Sequence, residues 1–180
     1  SGELNDYLVC LKLHTKKSKY SSLGEVWNTQ LLESLLGSSA RVSEIIREIS
    51  DGHFGIVGPK SNFLTDPKYW GANRAQVLSL RRLLKVKPKE YELGFFAGSM
   101  FWFNPKALAK LNQIPLTLSE FYFPLEKNQI DGTLAHALER IFCDLSIDQG
   151  YELASAEEPL VELNIDSAAK NKVIVEGDYK

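Results

Sequence analysis

Three short apolar runs constrain the fold of this chain more than any other feature of its sequence. They cover residues 7–13, 54–57 and 94–103, and they contain a single charged residue, Lys12. A near-continuous apolar run of this length is typical of a strand that is covered on both faces of an α/β sheet. We therefore predict an α/β fold in which residues 94–103, the most hydrophobic stretch, form one buried strand.

Helical patterns lie between and after these runs. A capping-box pattern at residues 22–25 opens the first helix, and Gly37 ends it. A second helix follows, with apolar residues on one face (Val42, Ile45, Ile46 and Ile49). Asp66 before Pro67 is a good helix start, and we predict a single helix from there to Leu84. Asn104 and Pro105 open a short helix. After Tyr151 the pattern weakens, and only residues 172–175 suggest a late strand.

The helix that follows residue 131 has an unusual second face. Asp131 is a good N-cap type, so the pattern predicts that the helix begins there. One face is apolar, and the other carries Gly132, His136, Glu139, Arg140 and Cys143. A helix covered on both sides would have this composition, and so would a helix whose polar face lines a cleft. The sequence is compatible with both interpretations.

Length and composition bound the class of protein. At 180 residues with 44% hydrophobic residues, the chain suits one soluble domain. A net charge of −2 argues against nucleic-acid binding by phosphate neutralisation. Cys10 and Cys143 fit no metal pattern and are expected to be buried free thiols. The sequence contains no signal peptide and no apolar stretch long enough to span a membrane.

Domain limits follow from the same patterns. Residues 1–2 have the composition of a tag remnant, and residues 3–180 are expected to form a single domain. Its core covers about residues 6–152, and residues 153–180 form a less patterned tail. Because the first strand begins almost at once, we expect the domain to be excised from a longer protein.

A cationic cluster follows the first apolar run. His14, Thr15, Lys16 and Lys17 stand where open α/β sheets bind ligands, beyond the carboxyl end of a strand. These side chains would suit the phosphates of a donor or a sugar, and Arg140 is a further candidate for phosphate. The alternative interpretation is a solvated charged turn.

Two other segments are candidates for a sugar site. Trp70 and Asn73 offer an aromatic face and a planar amide, although aromatics here could equally anchor a helix to the core. Gly98 and Ser99 are small residues inside an apolar run, which marks close approach of another backbone or a ligand. His136 and Glu139 complete the expected cleft.

Carboxylates supply the candidate catalytic groups. Asp131 at a helix N-terminus should stay ionised and act as a general base towards an alcohol, and Glu126 is the second candidate. A metal held by His14, His136 and Glu139 is a weaker alternative, because His14 comes from a distant segment. The phosphate-binding loop, GxGxxG, GxSxG and HExxH motifs are all missing.

Several blocks of the sequence together resemble the rhamnan synthesis protein F family. In chain order they read LHTKKS, GEVWNTQLLESLLGS, FGIVGP, YWGANR, FFAGSMFWFNPKAL and IDGTLAHALERIF. The resemblance covers about residues 6–152. It implies a bacterial glycosyltransferase-like module that takes part in the biosynthesis of lipopolysaccharide or cell-wall polysaccharide. It also implies a three-layer fold similar to GT-A enzymes, a mixed sheet flanked by helices, here lacking the upstream nucleotide-binding half.

The resemblance further implies partners and a location. The donor would be a nucleotide sugar such as dTDP-rhamnose and the acceptor a lipid-linked glycan, at the cytoplasmic face of the membrane. GT-A enzymes bind Mg²⁺ or Mn²⁺ through an Asp-x-Asp motif, but here the strand ends in His14, Thr15 and Lys16, so metal dependence is left open. The alternative function is a non-catalytic module for glycan recognition or assembly within a longer protein.

Overall fold

The fold is built on a five-stranded mixed sheet. The computed structural model describes residues 4, 6–14, 23–87, 93–114 and 131–165. The strands are β1 (Cys10–Lys12), β2 (Phe54–Gly58), β3 (Phe63–Leu64), β4 (Phe95–Phe96), β5 (Phe101–Phe103), β6 (Glu152–Ser155) and β7 (Val161–Leu163). The helices are α1 (Leu23–Leu36), α2 (Ser39–Ser50), α3 (Arg74–Leu83) and α4 (Leu134–Asp148). Turns of 3₁₀ helix cover Lys60–Asn62, Pro67–Asn73 and Pro105–Gln113.

The sheet order is β1-β5-β2-β6-β7, with β2 at the centre. Strand β5 pairs antiparallel with both β1 and β2, and β6 pairs parallel with β2. Strand β7 closes the far edge antiparallel to β6. Strands β3 and β4 form a separate two-stranded sheet. The mixed α/β fold predicted from the apolar runs is therefore confirmed.

Alternation along the strands places helices on both faces of the sheet. In β5, Phe101 and Phe103 pack with residues of α3 and α4, whereas Trp102 between them packs with α1 and α2. In β2, Ile56 and Val57 divide between the same two clusters. Since successive side chains of a strand point to opposite faces, the protein has a helical layer on each side of the sheet.

The sequence predicted one strand over residues 94–103, and this prediction is wrong. The run forms β4 and β5, which belong to different sheets, joined by a turn at Gly98 and Ser99. Both turn residues have positive φ, 88° at Gly98 and 51° at Ser99. The first run is also different from its prediction, because it forms a three-residue strand at the edge of the sheet rather than a strand covered on both faces.

The helix expected from Asp66 to Leu84 is two segments. The Asp66 carboxylate accepts the Lys68 N–H at 2.9 Å, as an N-cap should, but it caps only the 3₁₀ segment Pro67–Asn73. Gly71 interrupts that segment with φ 49° and ψ −144°. Helix α3 then begins at Arg74. The break turns residues 71–73 towards the start of α4.

The chain after Tyr151 contributes more than the sequence indicated. Strand β6 lies beside β2 in the middle of the sheet, and Leu153 and Ala154 are buried. The strand has only four residues, and its small residues obscure the alternation of apolar and polar side chains, so the sequence pattern did not predict it. The strand predicted at residues 172–175 lies outside the described residues. No helix in the described part of the chain is long and apolar enough to cross a membrane.

One ion pair is buried between α3 and α4. Arg81 Nε and Nη2 each lie 2.8 Å from Asp144 Oδ2, and the two side chains are 5% and 11% exposed. The guanidinium also lies over the Trp70 ring, 5.2 Å from its centroid. Burial raises the pKa of Asp144 to about 6, against the opposing effect of the Arg81 charge. The pair fixes the packing of the two helices on this face of the sheet.

Candidate functional site at the start of helix α4

Helix α4 brings together most of the residues that the sequence singled out. Its second face carries His136, Glu139, Arg140 and Cys143, and it packs on Phe95 and the turn after β4. Arg140 and Cys143 are buried, and His136 and Glu139 are half-buried. The helix is thus covered on both sides, and its polar groups face other elements of the domain.

Asp131 lies just before α4 and is held by the broken segment at residues 71–73. Its Oδ2 accepts the Ala72 N–H at 2.9 Å, and its Oδ1 accepts a hydrogen bond from the Asn73 side-chain amide. Arg140 Nη2 lies 3.5 Å from the same Oδ1. The Asp131 side chain remains 33% exposed. The carboxylate is therefore fixed in orientation but still open to solvent on one side.

Gly71 makes this approach possible. A Cβ at residue 71 would lie 1.9 Å from Asp131 Oδ2, and the φ of 49° is one that side-chain-bearing residues rarely adopt. The sequence pattern predicted a continuous helix here because periodicity does not reveal such a break. Both the space and the backbone conformation thus require glycine.

The environment of Asp131 favours its ionised form. Partial burial acts to raise the pKa of the carboxyl. The hydrogen bonds from Asn73 and the Ala72 N–H, the nearby backbone N–H of Gly132, and the charge of Arg140 act in the opposite direction, so the pKa is lowered overall. The expected ionised state is therefore reached, but through neighbouring side chains and amides rather than through an N-cap position.

The N-cap of α4 is Thr133, which corrects the prediction that Asp131 fills this role. Thr133 Oγ1 accepts the His136 N–H at 3.4 Å, and Thr133 has the extended conformation of a cap residue. The same Oγ1 lies 2.6 Å from His136 Nδ1. The hydroxyl therefore both caps the helix and sets the orientation of the imidazole.

Replacement of Thr133 tests this assignment. We expect Thr133→Ala to lower the free energy of unfolding by about 1 kcal/mol, because the first turn loses its acceptor. Thr133→Ser keeps the hydroxyl and should retain most of the stability in urea unfolding. An equal loss in both variants would contradict the capping role and point to the Thr133 methyl group instead.

Arg140 is committed to the protein itself. Its Nε donates to Tyr69 O at 2.8 Å and its Nη1 to His136 O at 2.9 Å, and the guanidinium lies 4.9 Å from the centroid of the Phe95 ring. With Nη2 near Asp131, the side chain links α4 to the segment before α3. These contacts fit a role of Arg140 in orienting Asp131 better than a role in binding a donor phosphate.

A second cluster surrounds the turn at Gly98 and Ser99. Glu139 Oε2 accepts the Gly98 N–H at 3.1 Å and the Ser99 hydroxyl at 2.9 Å. Lys12 Nζ donates to Ser99 O at 2.9 Å, and His14 Nε2 hydrogen-bonds to Gly98 O. Side chains from α4, from β1 and from His14 just after β1 therefore hold a turn in which both residues have positive φ.

This turn also explains the small residues in the apolar run. A Cβ at Gly98 would lie 2.7 Å from the Trp27 ring, so the close approach there is that of a side chain of α1. Burial lowers the pKa of the Lys12 ammonium, and the charge of Glu139 partly opposes that effect. Lys12 was missed by sequence reasoning, although a lone lysine inside an apolar run was an available signal.

The stability of the turn should depend on Glu139. We expect Glu139→Ala to lower the free energy of unfolding by about 2 kcal/mol, because two donors and the Lys12 charge lose their partner. Glu139→Gln keeps an acceptor oxygen and should cost about half as much in urea unfolding. The exposed Glu162 provides a control, since Glu162→Ala is expected to have little effect. If Glu139→Ala lowered the free energy of unfolding no more than the control does, Glu139 would not stabilise the turn.

The remaining predicted site residues divide into two groups. Trp70 is only 9% exposed and packs in the core beneath Arg81, so its ring is not the open wall that a stacked sugar would need. Glu126, Thr15, Lys16 and Lys17 lie outside the described residues. Within the described ranges, no group of three His, Cys, Asp or Glu side chains could hold a metal ion.

Comparison with known proteins identifies the family. A family model described as rhamnan synthesis protein F matches residues 1–151. The chain belongs to the rhamnan synthesis protein F family. Membership associates the chain with the synthesis of rhamnan and related polysaccharides. The resemblance noted in the sequence blocks is therefore confirmed.

Two curated relatives are similar in sequence. Both carry the description "Uncharacterized protein WxcX", from Xanthomonas campestris pv. campestris strains B100 and ATCC 33913, and each is 36% identical over 152 residues. The match covers 83% of this chain but 21% of each relative, so the chain spans about a fifth of their length. No solved structure matches the chain.

Proposed function

We propose that this rhamnan synthesis protein F domain takes part in transferring a sugar, rhamnose or another deoxyhexose, from a nucleotide sugar to a glycan acceptor. In this proposal the acceptor is a lipid-linked glycan at the cytoplasmic face of the bacterial membrane. The domain would be a GT-A-like glycosyltransferase module of a longer protein. The mixed sheet between two helical layers supports that fold relationship.

One observation carries the proposal. Groups from segments that are far apart in the sequence, residues 69–73 and 98–99, hydrogen-bond to Asp131, Glu139 and Arg140 at the start of α4 and in its first turns. Asp131, at the exposed end of this group, is a fixed carboxylate with a lowered pKa. An ionised, oriented and accessible carboxylate can act as the general base when a sugar is transferred to a hydroxyl.

Asp131 would act as the general base. As an acceptor hydroxyl bonds to the anomeric carbon and the nucleotide diphosphate departs, the hydroxyl proton becomes strongly acidic and passes to the carboxylate. A base with a lowered pKa can accept such a proton, and it is fully ionised near neutral pH. His136, oriented by Thr133 on the same face of the helix, would contact the sugar.

Binding and transfer are tested together. The chain and the longer protein are titrated with dTDP-rhamnose and related sugar nucleotides, with and without Mg²⁺ or Mn²⁺, while tryptophan fluorescence is followed. Transfer of radiolabelled sugar to a lipid-linked acceptor is then measured with the longer protein. Saturable donor binding and labelled product are expected. Absence of labelled product with every donor and both metals would refute the transferase proposal.

A recognition module is the second candidate. It is favoured by the extent to which the polar groups of the site are satisfied within the domain, above all the three contacts of Arg140. A recognition module would bind glycan fragments without consuming a donor. Glycan binding that persists in Asp131→Asn, together with no transfer by the wild type, would select this alternative.

A further inference from the structure

We propose that Asn73 is a positioning residue that holds the Asp131 carboxylate in its working orientation, and that it does not contact the sugar. The inference rests on the proposed function, because it gives Asn73 a part in the site built on Asp131. It replaces the sequence-based expectation that the Asn73 amide binds a sugar hydroxyl directly.

Burial of Asn73 supports this assignment. The side chain is 0% exposed, and both ends of its amide are used. Its Nδ2 donates to Asp131 Oδ1, and its Oδ1 accepts the Gly132 N–H at 3.0 Å. A sugar hydroxyl would have to displace one of these bonds inside the protein. The amide therefore binds the Asp131 side chain and the Gly132 backbone rather than a ligand.

Only an amide satisfies this pair of partners. One atom of the side chain has to donate to a carboxylate while its neighbour accepts from a backbone N–H. An aspartate at residue 73 would place a second carboxylate against Asp131, and a serine would be too short to span both partners. Glutamine has the right atoms, but its additional methylene does not fit a fully buried position.

The neighbouring backbone completes the orientation of the carboxylate. Ala72 N–H binds Oδ2 while Asn73 binds Oδ1, so the two oxygens have different, fixed donors. Rotation of the carboxylate about its Cβ–Cγ bond would break both hydrogen bonds. The remaining lone pairs are thereby directed to the exposed side, where an acceptor hydroxyl would arrive.

The charges that face Asp131 are few among the described residues. Arg140 of α4 lies 3.5 Å away, and His136 lies one turn earlier on the same face of that helix. The segment before α3 places residues 71–73, all uncharged, against Asp131, and the uncharged Gln76 of α3 donates to Gly132 O at 3.3 Å. A change at residue 73 should therefore be seen directly in the titration of Asp131.

The experiment is a carboxyl titration by NMR. The 180-residue chain is labelled with ¹³C at aspartate carboxyl groups, and the Asp131 resonance is identified by its absence in Asp131→Asn. Its titration midpoint is followed between about pH 2 and pH 7 in the wild type and in Asn73→Ala. We expect Asn73→Ala to raise the midpoint by about one pH unit.

A matched control separates positioning from general destabilisation. Asn62 is also buried, at 5% exposure, and its amide donates to Ala97 O at 3.1 Å, away from Asp131. Asn62→Ala should leave the Asp131 midpoint unchanged. Equal midpoints in the wild type and in Asn73→Ala would overturn the proposal.

A second measurement needs no change at residue 73, in case Asn73→Ala does not fold. The side-chain amide resonances of Asn73 in the wild type should shift with the Asp131 titration, and in Asp131→Asn they should become independent of pH. Amide resonances that ignore the titration of Asp131 would also overturn the proposal. Neither result depends on sugar transfer, so a failure of the proposed function would be seen separately, in the transfer assay.

Discussion

Asp131→Asn is expected to reduce sugar transfer by the longer protein about a hundred-fold or more, because the substitution removes the proposed general base. Donor binding should change little, since the carboxylate is proposed to act on the acceptor. The measurement is kcat and KM with the donor at saturation. Asp66→Asn is the matched control. Asp66 is an exposed carboxylate, and it caps the 3₁₀ segment Pro67–Asn73 whose last two residues bind Asp131. Transfer at the wild-type rate in Asp131→Asn would remove Asp131 from the mechanism.

The same variant has a stability effect that has to be measured beside its activity. Asp131 accepts hydrogen bonds from Ala72 and Asn73, and an amide in its place would direct one NH₂ group against another donor. Because the folded-state pKa of Asp131 is lowered, its contribution to stability is present above the unfolded value of about 4 and is lost as the pH falls through the folded value. The stability difference between the wild type and Asp131→Asn should therefore shrink in acid.

Arg81→Met is expected to give the largest loss of stability, about 3 to 5 kcal/mol at neutral pH. The substitution keeps an unbranched apolar side chain next to Trp70 but leaves Asp144 buried without its guanidinium partner. Urea unfolding followed by tryptophan fluorescence gives the free energies. Arg82→Met on the exposed side of α3 is the control, and it should change stability by less than about 0.5 kcal/mol. A loss in Arg81→Met as small as in the control would contradict a structural role for the pair.

The pH dependence of this loss has a defined sign. The pKa of Asp144 is raised from 3.8 to about 6 in the folded protein, so the folded state binds more protons than the unfolded state in that window. The contribution of Asp144 to stability therefore falls as the pH rises through the window. Without Arg81 the folded pKa rises further, so the penalty in Arg81→Met should be greater at pH 8 than at pH 5. A double variant, Arg81→Met with Asp144→Leu, should recover much of the stability.

The sequence predicted the class of fold and many of its elements. Ile45 and Ile49 of the predicted apolar face of α2 are buried, although Ile46 of that face is exposed, and the last 3₁₀ segment begins at Asn104–Pro105 as the pattern predicted. These features depend on residues that are neighbours in the sequence. The residue types with chemical potential were also identified, and Asp131, Asn73, His136 and Arg140 lie together in the structure.

The errors arose where distant residues decide the local conformation. The run at residues 94–103 folds back because Gly98 and Ser99 adopt positive φ and are held by Glu139, Lys12 and His14. None of these three lies near the turn in the sequence. Apolar periodicity records only whether a residue is buried, and it is the same for one long buried strand as for two short ones.

The start of α4 shows the division most clearly. The sequence alone determined that a polar residue would cap this helix, and that an acid, a histidine and an arginine would stand near its beginning. The tertiary structure decided that Thr133 is the cap and that Asp131 is instead bound by Ala72 and Asn73. The physical reason is that a carboxylate is oriented by whichever donors surround it. Here the donors are Ala72 and Asn73. They follow the backbone break at Gly71, sixty residues earlier in the chain.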